Sequence, residues 1–374
     1  MGMNENLSRV TLIIPTIARP DFVRRQFVFW SQYPVRVVIL DGAKPPVDLG
    51  DLPKTVSNVR YELTGTHFNE RLATAEKYIE TEFCAFLPDD EFFLPSGLSA
   101  AVGHLDANPE TIGVVGRALY FFVDQGRFLV TDAYREWKSF PAEVTTSWQR
   151  LDLDVAPNKT HKVLFGLFRK EPWVSIFSDS FGTYYSTGYA YERLANLKSV
   201  ALGRTDLIEH LIWMRSMENP PISNESVPRL GSQDFVPWAT EGRYPGEVAH
   251  YRAKALRILK DAGRLDAEQA AYFEHRFFHA GIDRQVAKVA RNNRSLVKRF
   301  RRFLIQFGPG AVKQFAKRNV PNRFLRFTGW SGVELAVMCK SLMERGTEFN
   351  RLELEQVRAL SIALDNERRQ SQRQ

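Results

Sequence analysis

Short, largely apolar runs alternate with helix-periodic segments over the first third of the chain. Residues 10–15, 35–40 and 83–87 lack the in-out alternation of a half-exposed strand, which predicts strands buried on both faces, and 59–63 reads as a further strand. Between them, 21–31 carries Phe22, Phe29 and Trp30 among Arg24, Arg25 and Gln26, with Pro20 suited to a first helical turn; 69–79 predicts a second helix. This alternation predicts an α/β fold with a doubly wound, mostly parallel sheet, whose ligands bind beyond the carboxyl ends of the strands. Thr16, Arg19 and Asp41 fall at such ends. So do Asp89, Asp90 and Glu91, where the run 83–87 breaks into three adjacent carboxylates before Phe92 and Phe93.

Beyond the acids, 95–108 reads as a helix ended by Asn108-Pro109. Strands over 112–122 and 127–130 flank Asp124-Gln-Gly126, a hairpin signal, and a strand is expected over 162–168. The rings of Trp173, Phe177, Phe181, Tyr184, Tyr185, Tyr189 and Tyr191 read mostly as core, with stacking against a ligand as the other use such a cluster has. Thr205-Asp-Leu-Ile-Glu209 predicts the start of a helix reaching 217, with Asp206 and Glu209 at the spacing of a capping box. From about 247 the pattern is helical, over 251–262, 266–280, 283–307 and 332–344, broken by Gly308-Pro-Gly310 and Pro321. The organisation expected is a catalytic domain over 8–246, a basic helical domain over 247–366 and a frayed tail over 367–374.

Composition adds bounds. With 374 residues, 44% hydrophobic and 12% aromatic, the chain has material for two domains with proper cores. No run approaches the roughly 18 apolar residues of a membrane span, and the first residues lack a signal-peptide layout, so a cytoplasmic protein is expected. Cys84 and Cys339 are read as packing residues in a reducing compartment. Of the net charge of +8, thirteen Lys or Arg and no acid fall between Arg284 and Val333, which leaves the remainder negative. Within that stretch Arg299, Arg301 and Arg302 interleave with Phe300, Phe303 and Leu304. That pattern suits a helix lying on an anionic membrane surface, with packing against the catalytic domain or nucleic-acid binding as alternatives, the last without a recognition motif.

Several chemistries are disfavoured. Pro15-Thr-Ile-Ala-Arg-Pro20 stands where a dinucleotide fold has its glycines, and no Gly-Lys-Ser phosphate loop or nucleophilic serine motif occurs. His275 and His279 have Arg276 where a metalloprotease needs its glutamate, so they read as a helix face. The three acids remain. Like charges at a sheet rim repel unless something positive lies between them, and a hard divalent cation carrying a phosphate is a usual solution; a solvated acidic turn is the plainer alternative.

Val10-Thr-Leu-Ile-Ile-Pro-Thr16, Val37-Val-Ile-Leu-Asp41-Gly42 and Phe86-Leu-Pro-Asp-Asp-Glu-Phe92, in this order and spacing, resemble the nucleotide-sugar half of GT-A glycosyltransferases, particularly bacterial family-two-like enzymes, over roughly residues 8–250. The resemblance implies a nucleotide-sugar donor, a glycan or lipid-linked acceptor in surface polysaccharide synthesis, and a manganese or magnesium ion. It implies that Asp41 contacts the nucleotide base, that Asp89 to Glu91 contact ribose and metal, and that Arg71 aims at the donor. Family members commonly carry Asp where this chain has Glu91, which leaves Asp90 and Glu91 both open as the metal ligand. An inverting transfer also needs a carboxylate to take the acceptor proton, and Asp206 or Glu209 at a helix start is expected to serve. The alternative from another class is a degenerate, non-catalytic relative that holds nucleic acid or an anionic polymer through its basic region.

Overall fold

Val10–Thr16 (β1) is buried at every position and Arg36–Asp41 (β2) at all but its first, the burial that such apolar runs require. β1 pairs in parallel with β2 and, on its other side, with Phe83–Phe86 (β4); β2 pairs in parallel with Val59–Leu63 (β3). This parallel quartet is the core of a ten-stranded mixed sheet in a computed structural model that describes residues 2–65, 67–155, 163–218, 234–294 and 332–371.

Past β4 the sheet reverses. Leu167–Arg169 (β8) runs antiparallel both to β4 and to Thr111–Asp124 (β6). β6 and Arg127–Ala133 (β7) form the expected hairpin, with Gln125 at φ 53° and Gly126 at φ 77°, the two left-handed residues of a tight turn. Arg204–Ser216 (β9) pairs in parallel with β6 and antiparallel with Phe92–Phe93 (β5), and Val333–Glu334 (β10) closes the edge on β7. The order is β10-β7-β6-β8-β4-β1-β2-β3. β4, β6 and β9 therefore point the same way as β1 and β2, and their carboxyl ends share one rim.

Thirteen α-helices are described. Met3–Ser8 (α1) packs on Pro95–Ala107 (α5), and Pro20–Trp30 (α2) connects β1 to β2; Leu52–Thr55 (α3) is a single turn before β3. The helix expected over 69–79 is divided into Phe68–Ala73 (α4) and a 3-10 turn, Ala75–Tyr78. Ser147–Val155 (α6), Lys170–Phe181 (α7) and Gly188–Leu202 (α8) cover the middle of the chain, and Phe235–Thr240 (α9), Pro245–Asp261 (α10) and Ala267–Arg294 (α11) pack against α8, α6 and one another. The helices expected over 266–280 and 283–307 are continuous as α11 through Arg294.

Leu335–Glu344 (α12) and Arg351–Ser371 (α13) return to the sheet. α12 lies on β7, while α13 lies on α2, β6 and β7. Apart from β10, the described elements within 247–366 are helices, and they lie in two places in the fold. No described helix is long and apolar enough to cross a membrane. Arg299, Arg301 and Arg302 lie outside the described residues. Cys84 and Cys339 are both free and buried.

Candidate active site

The acid loop between β4 and β5 is fastened from below by one face of α2. Gln26, wholly buried, donates from Nε2 to the carbonyls of Asp89 (2.9 Å) and Glu91 (2.8 Å) and accepts the indole N–H of Trp30 (2.9 Å). Arg25, also buried, donates to the carbonyl of Asp90 at 2.7 Å and pairs with Glu218 at 2.9 Å, its guanidinium lying over Phe22 and Phe92. Three successive carbonyls thus face α2. These anchors lie one helical turn from Phe22, Phe29 and Trp30, the rings that seat α2 in the core.

Thr16 and Arg19 meet the loop from the end of β1. The Thr16 hydroxyl donates to Asp89 at 2.6 Å, and the Arg19 guanidinium pairs with Asp89 and stands 3.5 Å from Asp90 while covering the Phe22 ring. Ala18, at φ 51°, makes the turn that carries Arg19 over the acids, a left-handed conformation uncommon for a residue with a Cβ. Burial pushes the Asp89 carboxyl up to about 6, with Asp90 adding to the rise and Arg19 and Thr16 opposing it. Asp90 is the more open of the pair, its side chain 14% exposed against 4% for Asp89.

At the end of β2, Asp41 is wholly buried. One carboxylate oxygen accepts the backbone N–H of Ala43 (2.8 Å) and the other the hydroxyl of Tyr61 (2.5 Å), so Asp41 fixes the Gly42–Ala43 turn and the ring beside it. Burial, then this hydrogen bond, pushes the Tyr61 hydroxyl above its ordinary pKa. Arg71, in α4, donates to the Gly65 carbonyl at 3.1 Å and lies in the space left by Gly42, where a Cβ would collide with its guanidinium. The sequence named Thr16, Arg19, Asp41, Arg71, Asp89 and Asp90 as donor-binding, and the fold gathers all six at one rim.

Glu91 turns inward. Its carboxylate accepts the Trp213 indole N–H at 2.6 Å and stands 3.8 Å from Arg215, and burial, ahead of the repulsion from Asp90, pushes its pKa well above the usual carboxylate range. Of the middle-region rings, Trp173, Phe177, Phe181, Tyr185 and Tyr191 are core; Tyr184 and Tyr189 are exposed, and Tyr184 meets the His67 ring, centroids 5.9 Å apart.

The helix start expected at Asp206 and Glu209 is corrected. Both lie in β9, a strand where a helix start was expected. Asp206 is at the amino end of β9, roughly 20 Å of strand from Trp213 and the acid loop. It accepts from Thr111 (2.9 Å), Arg204 (2.7 Å) and His104 (3.0 Å), and these bonds outweigh burial to hold its pKa below the ordinary value. Glu209 is bound at both oxygens by Arg117. Neither acid reaches the rim.

Residues the sequence did not single out for the site include Gln26, Arg25, Trp213 and Arg215. The i, i+4 pair of Gln26 and Trp30 on a helix between two core strands was the available signal for the first.

No protein-family model and no curated protein sequence matches the chain. Among solved structures it is similar to residues 1–349 of S. aureus TarS in complex with UDP, at 11% identity with a TM-score of 0.48, and in complex with UDP-GlcNAc, at 11% and 0.47; each comparison covers 97% of this chain and 92% of the other. Against a longer TarS structure the identity is 12% and the TM-score 0.45, covering 94% of this chain and 55% of that one. The sheet described above, a parallel quartet continued by antiparallel strands with its polar residues gathered at one rim, has the α/β arrangement expected from the sequence.

Proposed function

We propose that the protein is a glycosyltransferase moving a sugar from a nucleotide-sugar donor to a hydroxyl acceptor, a glycan or lipid-linked glycan. One observation carries the reading: the backbone of Asp89 to Glu91 is anchored through three carbonyls to α2, at the rim where Thr16, Arg19 and the Asp41 turn converge. Acids fixed so firmly at a strand-end crevice fit a ligand site better than a solvated turn. Ribose hydroxyls suit Asp89, and Tyr61 and Arg71, which stand beside the Asp41–Gly42 turn, suit a nucleotide base.

A divalent ion fits this rim in one form. Among the described residues no group of three His, Cys, Asp or Glu is placed to hold a metal ion, so those residues form no complete cage. Magnesium and manganese sites are often completed by substrate phosphates around one or two carboxylates, and Asp90, the more open acid, suits that part. Glu91, held by Trp213, suits a supporting role. When bound, the ion supplies charge neutralisation for the diphosphate. The inverting course belongs to the proposal, with the proton acceptor a group other than Asp206 or Glu209.

The test is calorimetric titration of the full chain with a panel of nucleotide sugars, with manganese and with chelator. Metal-dependent binding of at least one donor, lost in Asp90→Asn, is expected. Absence of binding across the panel refutes the transferase reading, and equal binding with chelator refutes the metal.

A further inference from the structure

The acid loop has two flanks. Thr16 and Arg19 stand on the β1 side, and β9 forms the other. The pairing of Phe92 with Met214 and Phe93 with Trp213 sets Glu91 opposite Arg215, so register alone brings a guanidinium beside the acids. Around it are aromatic rings. The Arg215 guanidinium carbon lies 5.4 Å from the Trp213 ring centroid, 5.5 Å from those of Tyr120 and Tyr134 and 6.0 Å from that of Phe165. The rings of Tyr134, Trp213 and Phe165 stack in one column, with neighbours within 13° of parallel. Four rings thus surround the guanidinium at 5.4–6.0 Å and leave its N–H groups for another partner.

Among the described residues the guanidinium has a loose ion pair with Glu91 and no hydrogen-bond acceptor. Glu91, the nearest carboxylate, stands 3.8 Å from Arg215 Nε, outside hydrogen-bond range, and has Trp213 as its donor. The other cations of the loop are committed, Arg19 to Asp89 and Arg25 to Glu218 and the Asp90 carbonyl. Arg215 is 29% exposed, so the rim is open to it. A planar fork of five donors, partly exposed beside the acid loop, matches phosphate oxygens.

We infer that Arg215 is a phosphate-binding residue of this site, gripping the sugar-bearing phosphate of the nucleoside diphosphate from the flank opposite Arg19. The inference rests on the nucleotide-sugar reading and adds a residue to it. Charge grows on that phosphate as the sugar leaves, and a pre-oriented guanidinium there stabilises the departing diphosphate without reorganisation.

The test compares nucleoside diphosphate with the matching monophosphate, bound to the full chain in manganese by calorimetry, for wild type and Arg215→Gln. The wild-type preference for the diphosphate should fall by roughly tenfold to a hundredfold in the variant, the range for a hydrogen bond to a charged group. Monophosphate affinity should hold, which also shows that the variant's site is folded. Arg215→Lys, which keeps charge without the fork, should recover only part of the preference. An unchanged diphosphate-to-monophosphate ratio in Arg215→Gln overturns this assignment alone. Wild type that binds neither nucleotide overturns it together with the transferase reading.

Discussion

Replacing Gln26 by Met isolates the fastening of the acid loop, because it keeps the length and flexibility of the side chain while deleting both polar ends. Three buried groups lose a partner: the carbonyls of Asp89 and Glu91 and the indole N–H of Trp30. An unpaired buried group costs about 1–3 kcal/mol; a carbonyl near the rim that water can reach belongs at the low end, and the enclosed Trp30 indole nearer the middle, for a sum of roughly 4 kcal/mol. Urea unfolding followed by tryptophan fluorescence should show that loss as a lower midpoint at unchanged slope, and calorimetry should show weakened donor binding. Gln26→Glu sharpens the comparison, since it keeps an acceptor for Trp30 but aims carboxylate oxygens at two carbonyls; it should weaken donor binding at least as much. A Met variant within 1 kcal/mol of wild type by the same extrapolation, with unaltered donor affinity, would refute the anchoring argument.

Asp206→Asn should lower stability while leaving turnover intact. Because the folded-state pKa of Asp206 is depressed, its ionised form contributes stability that is complete above an ordinary aspartate pKa of about 3.9 and is lost as pH falls through the lower folded value, so acid unfolding curves should separate wild type from variant above that range and converge below it. A large fall in kcat with normal melting would return Asp206 to the chemistry. Gly42→Ala should displace Arg71 and weaken donor binding about tenfold or more, read by calorimetry; unaltered affinity would remove Arg71 from the site. Replacing Arg299, Arg301 and Arg302 with Glu should abolish co-sedimentation with anionic vesicles, each arginine being worth about 1 kcal/mol near such a surface, and equal recovery on neutral vesicles would discard the membrane role.

The parallel quartet and its rim were legible because each buried strand is a short apolar run that ends in polar residues, and the chain positions of those ends follow directly from the runs. β9 was not. Leu207, Ile208, Leu211 and Ile212 fall at helical spacing, and β6 meets β9 through register shifts between Gly116, Arg117 and Ala118, where alternation along the strand is lost. A capping-box spacing at Asp206 and Glu209 strengthened the wrong period. Asp206 and Arg215, both on β9, therefore exchanged significance: the strand carries the first to the far edge and the second to the rim. Gln26 was hidden for another reason. A polar residue on an amphipathic helix normally faces water, and only the path of the acid loop over α2 makes its amide a buried anchor.

The late helix α13 touches the earliest parts of the site. Glu353 accepts the backbone N–H of Ser96 (3.0 Å) at the start of α5, just after the acid loop, across 257 residues; Gln356 accepts the Tyr33 hydroxyl across 323; Arg368 covers the Phe22 ring and pairs with Asp21 at 3.6 Å. During synthesis, the strands of the parallel quartet can assemble hundreds of residues before this outer brace exists. A nascent chain that has completed only this quartet therefore presents α2 with an unshielded flank until α13 arrives. An amino-terminal fragment cut at residue 246 stays in that earlier condition permanently, with the whole acid loop in its sequence and its brace missing.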